Sequence, residues 1–357
     1  MEYIRPSYYK DFRCVAADCE DTCCAGWQIG IDEESKKVYE HVAGGFGNRL
    51  HNCIDWQENV FERDTQTGRC AFLNEDNLCD IYAEIGPEYL CQTCREFPRH
   101  REEYEDVREE SLSLACPVAA QLILSQREPV TWITEERDEE EDDWDFDFLF
   151  FTKLMDARDA IFLNMQNRSI SLDERMRDFY NYCCELQQLE RDDQLFAMDE
   201  LTEFYRDRTL AIRHEYPSTD GLFELLESME MLRAKWPMWL AQCKEILNQH
   251  SQEEYELFLQ ECPLAFEQIG EQLMVYFIFI YFGGSVYDGE ILTKAKMALA
   301  GTRVICQMCY VRWLQKQKNL SFHDVAEIAW NFSKEVEHSD VNLERMEEGL
   351  QKWGGSI

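Results

Sequence analysis

The chain has 357 residues, long enough for two domains, with an ordinary apolar content of 45%. Its net charge of −36, from 71 acids against 35 bases, argues against nucleic-acid binding and against adsorption to an anionic membrane. No apolar run approaches the roughly 18 to 20 residues that span a bilayer. "MEYIRPSYYKDFR" has no apolar stretch of the kind an export signal carries, so a cytoplasmic protein with no membrane partner is expected. An acidic surface keeps a protein soluble; it also attracts cationic partners, such as a lysine-bearing face or a sulfonium cofactor.

Residues 1–130 read as an irregular, cysteine-rich region. Periodic helix signals are short there, and turns recur at "AGGFGN", "TQTGRC", "NEDN" and "EIGPE". A region with so little periodicity is expected to rely on a metal site in place of part of a core. "EERDEEEDDWDFD", residues 135–147, holds ten acids in thirteen positions and reads as a solvated boundary. The aromatic residues Trp144, Phe146, Phe148, Phe150 and Phe151 then lead into a packed helix.

Residues 131–357 read as an all-helical domain, so the fold class is mainly α. "FLFFTKLMDARDAIFLNMQ" and "SLDERMRDFYNYCCELQQL" carry apolar residues at three- and four-residue spacing, the second opened by Ser171 as a cap. "TDGLFELLESMEMLRAKWPMWLAQCKEILNQ" is one helix or two, with Pro237 as kink or break. "LMVYFIFIYF", residues 273–282, reads as a buried helix segment ending at Gly283-Gly284. Two further helical segments, beginning "EILTKAKMALAG" and "SFHDVAEIAWNF", complete the half. No alternating strand pattern of useful length is present.

Sixteen cysteines is a high count for a reducing compartment, where structural disulfides are disfavoured and clustered thiols point to metal. Ten fall in residues 1–120. Cys14, Cys19, Cys23 and Cys24 form C-x4-C-x3-C-C. Cys70, Cys79, Cys91 and Cys94 form C-x8-C-x11-C-x2-C, and Cys116 follows in "LACPV". A metal ion or iron–sulfur cluster needs about four thiolates at roughly 2.3 Å. Nine candidates exceed one site, so either two sites exist or some are spectators. The spacing suits zinc and iron equally. Cys53, Cys183, Cys184, Cys243, Cys262, Cys306 and Cys309 read as small apolar residues, and Trp27 as a core residue sealing the cluster.

"CEDTCCAGW" with "GRCAFL…LCDIY…GPEYLCQTCREFPR" resembles a cysteine-cluster domain described as zinc- or iron-chelating. With "NFSKEVEHSDVNLERM" near the C-terminus, nearly the whole chain resembles the bacterial flagellin lysine N-methylase (FliB-like) family. The resemblance implies methyl transfer from S-adenosylmethionine to lysine side chains of flagellin or a related surface protein. It also implies a [4Fe–4S] cluster, with zinc as the alternative. The usual radical C-x3-C-x2-C signature is absent, as is a G-x-G-x-x-G cofactor loop.

Amine and sulfonium are both cationic before proton loss, so carboxylates and aromatic faces suit their site. Glu335, Glu337 and His338 in "SKEVEHSD", with Tyr287, are the expected catalytic groups. Tyr281 and Asp288 in "YFGGSVYDGE" are the expected cofactor contacts. The plainer reading of these two segments is a helix end capped by Ser339 or Asp340, and a loop with an anchored tyrosine. Two other functions are consistent with the thiols: a non-catalytic zinc- or iron-binding interaction protein, and a cluster-based redox protein.

Overall fold

The computed structural model describes residues 1–139 and 146–354. Trp144 and part of the acidic run lie outside the described residues. The protein is mainly helical, as expected, but it also contains a small sheet that the sequence pattern did not announce. Strands β1 (Glu2–Pro6), β2 (Arg99–Tyr104), β3 (Val107–Leu112) and β4 (Trp132–Glu136) lie in the order β2-β3-β1-β4. β2 and β3 form an antiparallel hairpin, β1 runs parallel to β3, and β4 runs antiparallel to β1.

The sheet escaped the sequence reading because β3 hides charge. All six of its residues, including Arg108, Glu109 and Glu110, are buried. Arg158, on the Phe148–Met165 helix, pairs with Glu109, and Arg5 and Arg101 both pair with Glu110. Buried charges are tolerated only when paired in this way. They erase the apolar–polar alternation by which a strand is recognised.

Between the first two strands, a module of short turns and helices packs around a core of its own. Ile29, Ile31, Tyr39, Leu50, Ile54, Phe61, Phe72 and Ile81 are buried there together with Cys70 and Cys91. Its longest helix, Gly44–Asn52, has nine residues.

The helical body is built round Phe266–Tyr281 and Ile291–Gln315, which pack on each other and on Leu172–Arg191. Phe322–Glu337 and Asp340–Lys352 close over Ile291–Gln315. Pro237 breaks its segment by starting a helix: Leu222–Glu227 ends before it, and Trp236–Gln249 carries it in the first turn, where its missing N–H costs nothing. Continued through short turns to Asp288, the apolar segment reaches 23 residues, long enough to cross a membrane by length and composition. That exceeds the ten-residue stretch seen in sequence, yet 78% of its most apolar window is buried inside the protein, as in a core helix. The helix pair is tied to its neighbour by a buried carboxylate, Glu271, held by Arg168 (2.8 Å) and Arg175 (2.6 Å).

Sheet and helical body meet tightly. Tyr104 at the end of β2 lies over the turn after the apolar helix, and a Cβ on Gly283 would stand 2.5 Å from its hydroxyl. The Pro117–Leu124 helix also packs on Phe322–Glu337 and Phe266–Tyr281.

Candidate functional site

Phe322–Glu337 begins with a capping box between Ser321 and Asp324, which fixes where its last turn falls. Glu337 is its final residue and His338 caps it; Ser339 then caps the next helix by accepting from the Asn342 N–H. The plain reading of "EHSD" as a helix end is therefore correct, and the end itself lines a cleft.

That cleft, of about 540 Å³, lies between the sheet, the cysteine-rich module and the helical body. Glu337 is part of its lining. Tyr281 donates to one carboxylate oxygen (2.8 Å), and Tyr276 (3.3 Å) and Ser333 donate to the other. Tyr276 in turn accepts from the Leu114 backbone N–H (3.0 Å), which aims its own proton at Glu337. Burial raises the Glu337 carboxyl above its ordinary range, against the opposing effect of these donors and of the His100 charge. Burial and the Glu337 charge push both phenols well up, so they remain donors.

One wall is aromatic. Trp27 stacks on His338 with centroids 4.3 Å apart; Phe97 meets His338 edge-on at 5.6 Å and Trp27 at 5.7 Å. Burial, then the Lys334 and Arg233 charges, bring the His338 imidazole down to about 3, so it is a neutral ring at physiological pH. The opposite rim carries Arg99, His100, Glu102, Lys294 and Glu347. His100 bonds Glu102 (2.6 Å); burial works against its charge, but Glu102 and Glu337 raise its pKa overall.

Glu337, His338 and Tyr281 are thus brought together as expected, and three other expected residues stand elsewhere. Glu335 points away from the cleft, buried against Arg233 (2.8 Å) and the Leu232 N–H (3.0 Å). Positions two apart on a helix face about 200° from each other, so Glu335 and Glu337 cannot share a site. Tyr287 is half-exposed and donates to the Glu103 carbonyl at the sheet end. Asp288 pairs with Lys294 (2.9 Å) outside the cleft lining. Sequence reasoning missed Tyr276, Ser333, His100, Phe97 and Lys294. "CREFPRH" carries Phe97 and His100, and Ser333 opens "SKEVEHSD"; Tyr276 and Lys294 had no signal.

All sixteen cysteines are free thiols. The seven read as packing residues are buried, apart from the half-buried Cys53. The other nine fall into two neighbourhoods joined at one point. Electrostatic contacts link Cys14, Cys19, Cys23 and Cys116 into one set of neighbours, and Cys24, Cys70, Cys79, Cys91 and Cys94 into another. Backbone and side-chain ties hold them: the Cys70 N–H donates to the Cys24 carbonyl (2.8 Å), and the Glu20 carboxylate bonds the side chains of Gln121 and His323. Two pairs of thiols share hydrogen bonds, Cys23 with Cys24 and Cys91 with Cys94. Cys23 lowers the Cys24 thiol to about 7 while its own goes up, and Cys94 lowers Cys91. Among the described residues no three Cys, His, Asp or Glu side chains stand close enough to hold a metal ion as placed. The donor chemistry fits a soft metal: nine thiols from several segments, gathered without disulfides.

Trp27 belongs to both features. Its indole N–H donates to the Cys23 carbonyl (2.7 Å) while its ring faces the cleft, so it does more than seal the thiols.

The family model of the FliB lysine N-methylase C-terminal domain matches residues 158–356. Lysine-N-methylases of Salmonella typhimurium (strain LT2) and Salmonella choleraesuis are each 32% identical over 133 residues, 34% of this chain and 32% of theirs. The flagellar biosynthetic protein FliU of Salmonella muenchen is 31% identical over 129 residues, 34% of this chain and 75% of its own. The match therefore spans about a third of the length of the two lysine-N-methylases. No solved structure matches.

Proposed function

The chain belongs to the FliB lysine N-methylase family, and from that premise we propose that it is a protein-lysine N-methyltransferase. Its methyl donor is S-adenosylmethionine and its acceptor is a lysine of flagellin or a related surface protein. The observation that carries this reading is the half-buried Glu337 carboxylate, held by three hydroxyl donors in the lining of an aromatic-walled cleft.

A lysine ammonium, with a pKa of about 10.4, must lose a proton before it can attack. Glu337 receives that proton; burial makes it a stronger base than an exposed carboxylate. Tyr276, Tyr281 and Ser333 hold the carboxylate in one orientation, which aligns the amine and saves reorganisation. Trp27, Phe97 and neutral His338 offer ring faces to a cation and exclude water. Bound, S-adenosylmethionine would supply a sulfonium methyl carbon: the C–N bond forms as the C–S bond breaks, and S-adenosylhomocysteine leaves.

We extend the proposal to a [4Fe–4S] cluster, with zinc as the alternative, held by thiols of Cys24, Cys70, Cys79, Cys91 and Cys94 or of Cys14, Cys19, Cys23 and Cys116. Bound, such a group would supply folding energy and, if iron, an open coordination position. Colour and metal content after anaerobic purification decide between the two metals. The flagellar name of the Salmonella muenchen relative supports a flagellar substrate.

Co-expression with flagellin tests the function. Flagellin lysines should gain the mass of one methylene per event only when the chain is present, and far less when Glu337 is replaced by Gln. Unmodified flagellin beside a folded, metal-replete chain would reject the reading.

A further inference from the structure

The two aromatic residues that pack on His338 and on each other stand in the same relation to the thiols. Trp27 follows Cys24 by three positions, and Phe97 follows Cys94 by three. Cys24 and Cys94 pack, with Trp27, against the same small core that holds Cys70 and Cys91, although 69 residues separate them in sequence. Three residues span at most about 10 Å of chain, so neither ring can ignore where its thiol goes. The Cys94–Phe97 link is stiff because it runs through the Gln92–Glu96 helix. The Cys24–Trp27 link has one soft joint, Gly26, at φ +90°.

Other contacts fasten the thiol loop to the end of the catalytic helix. Asp21 bonds Lys334 (2.9 Å), one turn before His338. Arg233 joins Asp21 (3.4 Å) to Glu335 (2.8 Å). The indole bond to the Cys23 carbonyl then fixes Trp27 against the loop itself.

We propose that the thiol neighbourhood sets the width of the aromatic wall, with Trp27 and Phe97 as positioning residues that carry its state to His338 and so to the cleft. Thiolates on one metal ion lie about 3.8 Å apart, the edge of a tetrahedron with ligands near 2.3 Å. Drawing Cys24 and Cys94 to that spacing presses Trp27 and Phe97, already in contact with each other, against His338. Releasing them lets the wall relax. The cleft is then complete only when the thiols are gathered, whatever the cleft binds; only its meaning for catalysis rests on the methyltransferase reading.

The test uses the full chain, reduced and metal-free, labelled at histidine, with zinc alone as the probe. Zinc saturation should shift the His338 ring resonances, assigned by their loss in His338→Asn, and leave those of His250 in place. Trp27→Ala should lose most of the His338 shift while still taking up zinc. Trp27→Phe, which keeps the ring but not the bond to Cys23, should retain part of it. Cys94→Ser should lose the shift and Cys53→Ser should keep it. The proposal is overturned if no zinc is bound, if His338 does not respond, or if Trp27→Ala responds like the wild type. Methyl transfer plays no part in the readout, so the proposal and the function can fail separately.

Discussion

Between Cys24 and Phe97 the buried core amounts to ten residues, two of them cysteines, spread among turns and helices no longer than nine residues. From Phe148 to Leu350, long helices bury Leu154, Phe179, Leu273, Leu299, Ile305 and many others completely. The first region buries little with which to offset its chain entropy, and a metal held by its thiols is the proposed source of the balance. The second needs no cross-link. Yet the cleft takes Trp27 and Phe97 of its aromatic wall from the first region and Glu337 from the second.

Several measurements would sharpen or break this contrast. The largest effect is expected on removing metal. A strong chelator should open residues 14–98 to protease while 148–352 stay resistant, since a structural zinc contributes on the order of 10 kcal/mol of apparent binding energy. Mass mapping of the fragments checks this, and equal resistance of both regions would end the comparison. Next comes Glu337→Gln. The rate of methyl transfer should fall by roughly 10²- to 10⁴-fold, with a thermal midpoint that does not fall, because the native state disfavours charge on this carboxyl. Leu299→Ala should cost about 2–5 kcal/mol in denaturant unfolding of the helical body, because no neighbour can collapse fully into the space. Gly283→Ala, which drives a methyl against the Tyr104 hydroxyl, should cost about 1–3 kcal/mol and loosen the sheet from the helical body.

The smallest effect is a pH dependence. Burial depresses the His338 pKa from 6.5 to about 3. A base with a lowered folded pKa contributes stability that is present above 6.5 and is lost as pH falls from 6.5 towards 3. At pH 6 the loss is at most about 1 kcal/mol. His338→Phe should flatten the midpoint-against-pH curve in that window. An unchanged slope would mean that His338 is not held neutral by the wall.

The helical half was legible because its apolar residues recur at helical spacing and its punctuation is conventional: Ser171, Pro237 and Ser339 all act where the sequence put them. Glu337, His338 and Tyr281 were legible as chemistry, because a carboxylate and rings near a helix end suit a cation. The choice between Glu335 and Glu337 needed helix phase. Tyr276 was hidden inside the apolar run, where it reads as packing. His100 and Phe97 were hidden because only the fold carries the segment after Cys94 to the end of a helix 240 residues later. The thiols were legible as a set, but not their division into two neighbourhoods meeting at Cys23 and Cys24.

The seat of Glu337 at the end of Phe322–Glu337 also bears on how the protein is made. During synthesis Trp27, Phe97, Tyr276 and Tyr281 leave the ribosome well before the residue that they serve. Until Ser333 and Glu337 emerge, the two phenols have no carboxylate to bond and the aromatic wall has no His338 to enclose. A chain interrupted anywhere in between would carry Trp27 and Phe97 with no Glu337 for the phenols to bond and no His338 for the rings to pack on.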